Sequence, residues 1–116
     1  MSKYGFPPEA RILTGPEFRR VYRRGRRLYR PPLRLVALRR EEGGSRLGLS
    51  VGRKTGNAVV RNRWKRAIRE AFRLHRHDLV AHWDLVISVD WEAPVEKAAD
   101  VDAAFQAAVR DLNAVT

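Results

Sequence analysis

The sequence predicts a single α+β domain, helices packed on a sheet, and three observations carry that reading. Strand-forming runs at Leu28–Arg40 and Trp83–Asp90 lie apart in the chain, interleaved with segments whose apolar residues recur at helical spacing. Cap and turn residues punctuate those segments at the places where each must begin or stop. With 116 residues, 44% of them hydrophobic, the chain can fill one small core. The expected order is helix, two or three strands, helix, strand, helix, with no internal repeat.

Residues 1–10, MSKYGFPPEA, combine Gly5 with Pro7 and Pro8 without periodicity and are expected to form a mobile N-terminal arm, leaving 11–116 as the domain. Thr14, Pro16 and Glu17 form a helix-start signature: a capping threonine, a proline in the first turn and a glutamate in capping-box position. That first helix runs to Arg24 and stops at Gly25. In Leu28–Arg40 the paired prolines Pro31 and Pro32 are confined to a bend or to the start of a strand. The cluster Glu41–Ser45 reads as a turn, and Arg46–Arg53 as the returning strand of a hairpin, with Leu47, Leu49 and Val51 on one side and Gly48, Ser50 and Gly52 on the other. The small-residue side leaves room for close approach by a packed helix or a ligand strand.

Gly56 and Asn57 supply a turn and an N-cap for the most informative helix in the chain. On one side of it gather Val60, Trp64, Ala67, Ile68, Ala71 and Leu74, and on the other Asn62, Lys65, Arg66, Arg69, Arg73 and Arg76. Arg61, Lys65, Arg69 and Arg73 follow one another at i, i+4, each like-charged pair costing roughly 0.2–0.5 kcal/mol. Arg61 and Arg63 near the helix start, where the macrodipole favours anions, add roughly 0.3–1 kcal/mol per charge. A polyanion lying on this surface reverses the sign of every one of those terms, so the frustration points to a phosphate-bearing partner. Downstream, Trp83–Asp90 reads as a central strand because Leu85, Val86 and Ile87 run together. Asp100 is expected to cap a last helix whose apolar stripe is Val101, Ala104, Phe105, Ala108, Leu112 and Val115.

Charge is unevenly placed. Residues 1–77 carry 22 Lys and Arg against five Asp and Glu, net +17, whereas residues 78–116 carry two against eight, net −6. The first two thirds therefore build the partner surface. Of the 24 cations 20 are arginine, whose planar fork pairs bidentately with phosphate and stacks on bases. Absence of cysteine rules out disulfides and cysteine-based zinc sites, and no apolar run approaches a membrane span; a cytoplasmic protein without membrane contact is expected.

The run GLSVGRKTGNAVVRNRWKRAIREAF, Gly48 to Phe72, resembles the signature of the bacterial ribonuclease P protein subunit: a G-L-S-V strand, a basic G-N-A-V turn and an R-N-R-x-K-R-x-x-R-E helix. The motif spans about a quarter of the chain, and the order of elements agrees over nearly all of it. The resemblance implies a mixed sheet of the ribosomal protein S5 domain 2-like type, with the basic helix in a left-handed βαβ crossover between parallel strands. It implies that Arg61, Asn62, Arg63, Lys65, Arg66, Arg69 and Arg73, supported by Lys54 and Asn57, meet a catalytic RNA that holds Mg²⁺. It further implies a cleft between the first helix and the sheet for the single-stranded 5′ leader of precursor tRNA. Phe18 and Tyr22 match aromatic positions of that cleft, Arg19 and Ser50 border it, and Val36 stands where relatives can carry tyrosine. After Ser88, where the family tends to a basic residue, this chain has Val89, Asp90, Trp91 and Glu92.

The residues themselves give the protein no bond chemistry. A protein nuclease needs clustered carboxylates for two metals or a histidine pair for acid–base work, and neither pattern is visible. His75, His77 and His82 have no cysteine and no aspartate pair near them except Asp78 and Asp84, so no protein metal site is expected. A second basic cluster, Arg19, Arg20, Arg23, Arg24, Arg26 and Arg27, surrounds the first helix and suits phosphate contact. The alternative is a non-enzymatic ribosomal or RNA-assembly protein using the same helix on another folded RNA. DNA is disfavoured, because no helix precedes the basic one at turn-helix spacing.

Overall fold

The computed structural model describes residues 10–12 and 14–116. Nine residues of the expected arm lie outside that range, and Ala10, its last, is buried in the main core. Helix α1 spans Gly15–Arg24 on the expected cap: Thr14 Oγ1 accepts from the Glu17 N–H at 3.2 Å, and the Glu17 carboxylate accepts from the Thr14 N–H at 3.1 Å. Gly25 ends the helix in an extended conformation, not a left-handed one. Its glycine is required by close approach, since a Cβ there would sit 2.6 Å from the Val21 carbonyl oxygen and 2.7 Å from Val36 Cγ1.

Strands β1 (Arg26–Arg30), β2 (Leu33–Arg39), β3 (Arg46–Leu49) and β4 (Trp83–Val89) form one sheet in the order β1-β2-β4-β3. Pro31 and Pro32 make the bend that joins β1 to β2 as an antiparallel pair. β4 is central as expected, antiparallel to β2 and parallel to β3. The hairpin expected across Glu41–Ser45 is therefore corrected: β2 already has β1 on one edge and β4 on the other, so β3 reaches the sheet on the far side of β4. It also ends at Leu49, and Arg53–Thr55 forms a 3-10 turn instead of extending the strand.

Helix α2 (Ala58–His75) links the parallel pair β3 and β4, capped by Asn57 Oδ1, which accepts from the Val60 N–H at 3.0 Å. Gly56 before it adopts φ 149, open to glycine alone at little strain. Buried on α2 are Trp64, Ile68, Ala71 and Phe72, while Leu74 is 48% exposed. The apolar arc is thus rotated towards Phe72 relative to the sequence reading, because α2 packs on two neighbours, the sheet and helix α3 (Val101–Ala114), and Phe72 meets Phe105 edge-on at 6.2 Å. The expected α3 stripe is buried, with Val109 added and Val115 exposed. Asp100 does not cap it: a 3-10 segment, Val95–Asp100, runs straight into α3, and Asp100 is already helical with no side-chain cap bond.

Two unequal layers result. α2 and α3 cover one face of the sheet through Leu33, Leu35, Leu47, Leu85 and Ile87, and this is the main core. α1 covers the other with a small cluster, Ile12, Val21, Val36 and Val86, with Phe18 and Leu38 packed beside it. Among the described residues no helix is long and apolar enough to cross a membrane.

Candidate nucleic-acid interface

On the α1 face the strand register lays side chains in rows. Leu38 pairs with Asp84, which pairs with Arg46; Val36 pairs with Val86, which pairs with Gly48; Tyr29 pairs with Arg34, which pairs with Ser88. α1 closes over the first two rows. At its start Glu17 is linked to the buried Asp84 through Arg46, which donates to Asp84 through Nε at 2.7 Å and Nη2 at 2.8 Å and to Glu17 through Nη1 at 2.6 Å, while Arg20 stands 3.7 Å from Asp84. The Arg46 guanidinium holds the Glu17 carboxyl down at about 2, against the desolvation that opposes it, and is itself raised by Asp84 and Glu17. In the middle row Phe18 lies on Gly48, where a Cβ would come within 2.8 Å of its ring.

The Tyr29–Arg34–Ser88 row is left uncovered. Beside it Tyr22 overhangs from α1, and together with Arg27, Val36 and Val86 these residues line a cleft of about 250 Å³. Val36 is buried and forms the floor. Arg34 stacks 4.8 Å above the Tyr29 ring, and both donate to Asp90, Tyr29 Oη at 2.7 Å and Arg34 Nε at 2.7 Å. That hydrogen bond raises the Tyr29 phenol above its ordinary value.

Of the residues expected to meet a leader, Tyr22 and Val36 line this cleft, whereas Phe18 is half-buried in a neighbouring recess with Arg11, Ile12, Gly48 and Arg69. Arg19 and Ser50 are exposed outside both. Arg27, read from the sequence as part of the basic cluster suited to phosphate contact, lines the cleft, whereas Tyr29, Arg34 and Ser88 were missed by the sequence reading. Alternation would have found them once Pro31–Pro32 was taken as the turn of a tight hairpin, since Arg27 and Tyr29 then share a face with Arg34 and Val36.

The second surface is α2. Asn62, Arg63, Arg66 and Arg69 are exposed, Arg61, Lys65 and Arg73 half-buried, and Lys54 and Asn57 exposed in the turn before it. A groove of about 260 Å³ runs between Asn62, Arg66, Arg69, Glu70 and Arg73. Two of the expected contacts have other duties: Asn57 Oδ1 caps the helix, and Arg73 is paired with Glu70, whose carboxyl it holds below the usual range. The remainder form a ridge of like charge with no acid in the first turn. At physiological pH such a surface can neutralise phosphates and do little else.

Carboxylates are consumed by arginines elsewhere: Asp84 and Glu17 by Arg46, Asp90 by Arg34, Asp111 by Arg30. Among the described residues no group of three or more His, Asp or Glu is placed to hold a metal ion. His75 instead bridges Asp102 at 2.8 Å and Asp78 at 3.5 Å, tying the end of α2 to α3.

Comparison with known proteins bears directly on this arrangement. The family model for ribonuclease P matches residues 6–113. A ribonuclease P protein component of Desulfotalea psychrophila is 44% identical over 89 residues, covering 77% of this chain and 74% of that protein, and one of Dictyoglomus thermophilum is 37% identical over 102 residues, covering 88% and 82%. Among solved structures, the Staphylococcus aureus RNase P protein superimposes with a TM-score of 0.77 at 28% identity, covering 87% of this chain and 93% of that one. The Thermotoga maritima RNase P protein has the same fold, with a TM-score of 0.76 at 24% identity over 87% of this chain and 96% of that one. The chain belongs to the ribonuclease P protein family.

Proposed function

We propose that this chain grips the catalytic RNA of ribonuclease P with the α2 ridge and receives the single-stranded 5′ leader of precursor tRNA in the cleft under Tyr22. Members of the family act with an RNA subunit in tRNA 5′ processing, as the protein component of an endoribonuclease. The observation that carries the finer reading is the ridge itself: a helix whose Arg63, Arg66 and Arg69 stand exposed with no acid in its first turn bears a repulsion of roughly 0.2–0.5 kcal/mol per like-charged neighbour pair. Bound RNA removes that penalty.

Bond cleavage belongs to the RNA in this reading, with Mg²⁺ held by RNA phosphates. The protein's own residues do not fit that ion: Glu17, Glu70, Asp84, Asp90 and Asp111 are engaged by arginines, and among the described residues the other carboxylates do not converge in threes. No step here runs through a protein-bound metal. What the protein supplies is phosphate neutralisation, which lowers the Mg²⁺ the RNA needs, and a longer substrate footprint through the leader.

The test is reconstitution with the catalytic RNA at low Mg²⁺. Wild-type protein is expected to stimulate cleavage of precursor tRNA, and Arg63→Glu with Arg69→Glu to lose docking by about 100-fold or more while folding normally. Binding to the RNA without stimulation would instead mark a non-enzymatic RNA-assembly protein, and normal docking by the charge-reversed variant would overturn the ridge.

A further inference from the structure

The cleft does not end at the sheet. Tyr29 and Arg34, which line it, also line a second concavity of about 310 Å³ whose other walls come from the loop after β4, chiefly Asp90, Trp91 and Glu92. Singly exposed aromatics are ordinary. Here Tyr22, Tyr29 and Trp91, at 37, 54 and 59% exposure, border two adjoining concavities that share Tyr29 and Arg34.

The second concavity differs from the first in charge and in rigidity. Asp90 is fixed on every side: its N–H donates to the Pro32 carbonyl at 3.0 Å, its carbonyl accepts from the Ala93 N–H at 2.9 Å, and its carboxylate accepts from Tyr29 and Arg34. The loop carrying Trp91 is therefore held at both ends before any ligand arrives, which reduces the ordering cost of binding. With Asp90 neutralised by Arg34, the exposed carboxylate of Glu92 in the same concavity as Trp91 repels phosphate and accepts hydrogen bonds, so what fits there is a base and not the backbone. Guanine presents adjacent N1–H and N2–H donors that match both oxygens of one carboxylate. Uracil presents a single N–H between two carbonyls.

We propose that Trp91 and Glu92 form a base-reading subsite for one unpaired nucleotide, preferring guanine, at the outer end of the cleft. The proposal rests on the reading of the cleft as a leader track and adds a specificity element to it. Trp91 provides the stacking plane, and the exposed Glu92 the acceptor pair; Asp90 holds the shared wall formed by Arg34 on Tyr29.

The experiment measures the affinity of the reconstituted holoenzyme for precursor tRNAs whose leaders are shortened one nucleotide at a time, and for full-length leaders carrying guanine or uracil at each position. Wild type should show one position at which guanine binds about 10-fold better than uracil. Trp91→Ala should lose about 10-fold on leaders that reach that position and nothing on shorter ones, Trp91→Phe should recover most of the loss, and Glu92→Gln should erase the guanine preference while keeping the length step. Wild-type indifference to guanine against uracil, or Trp91→Ala binding every leader like wild type, overturns the subsite alone. Affinity that ignores leader length altogether overturns the leader track with it.

Discussion

The two faces of the sheet are built on different physics. On the α2/α3 face, aromatic and branched residues from two helices bury a continuous apolar layer, with Trp64, Phe72 and Phe105 almost fully enclosed. On the α1 face four buried apolar residues are supplemented by a chain of polar and charged side chains, Thr14 to Glu17 to Arg46 to Asp84. The first arrangement holds wherever area is buried; the second holds only where each partner is present. A helix fastened by a few specific bonds need not blanket the sheet, and α1 leaves the Tyr29–Arg34–Ser88 row uncovered.

Variants on each face sharpen the contrast. Phe72→Ala should destabilise the protein by about 3–5 kcal/mol in urea denaturation, through lost transfer energy and the cavity left behind. Asp84→Ala should cost a similar amount, about 3–5 kcal/mol, by a different route, leaving Arg46 only 13% exposed beside Glu17 alone. The two routes separate with the isosteric partner: Asp84→Asn should recover part of the loss, whereas if Asp84→Ala is harmless the α1 face is held by apolar contact like the other.

Gly48→Ala is a milder probe of the same face. Its new methyl meets Phe18 at 2.8 Å, so it should cost about 1–3 kcal/mol and displace α1, and it should recover when combined with Phe18→Leu. The smallest effect expected is from Glu17→Gln. Glu17 titrates at about 2 when folded against an ordinary 4.5, so its contribution is fully present above about 4.5 and is lost as pH falls towards 2. The difference in melting temperature between wild type and Glu17→Gln should therefore shrink across that window. A difference that stays constant down to pH 2 would mean that the Arg46 bond does not depend on the charge of Glu17.

Local chemistry made much of this readable in advance. The α1 cap is a reciprocal pair three residues apart, the α2 cap is an asparagine whose oxygen reaches its own helix, and the ridge is a charge pattern on one helix; each involves near neighbours in the chain. β4 declared itself central because Leu85, Val86 and Ile87 run together, which places apolar side chains on both of its faces. Asp100 misled because a 3-10 turn continuing into α3 leaves an aspartate no free N–H groups to cap, and no local residue announces that continuation.

What the sequence by itself determined, then, was which segments are helix or strand, where α1 and α2 start, and which surface is cationic, since these follow from propensity, capping and periodicity acting over a few residues. Only the tertiary structure decided that β3 joins β4 and not β2, that Phe72 and not Leu74 turns inward, and that Arg46 meets Asp84 across 38 positions of chain. Alternation shows which side of a strand is apolar but says nothing of which edge it joins. That choice rests on burying both faces of β4 at once, and the open row of the cleft exists only as its consequence.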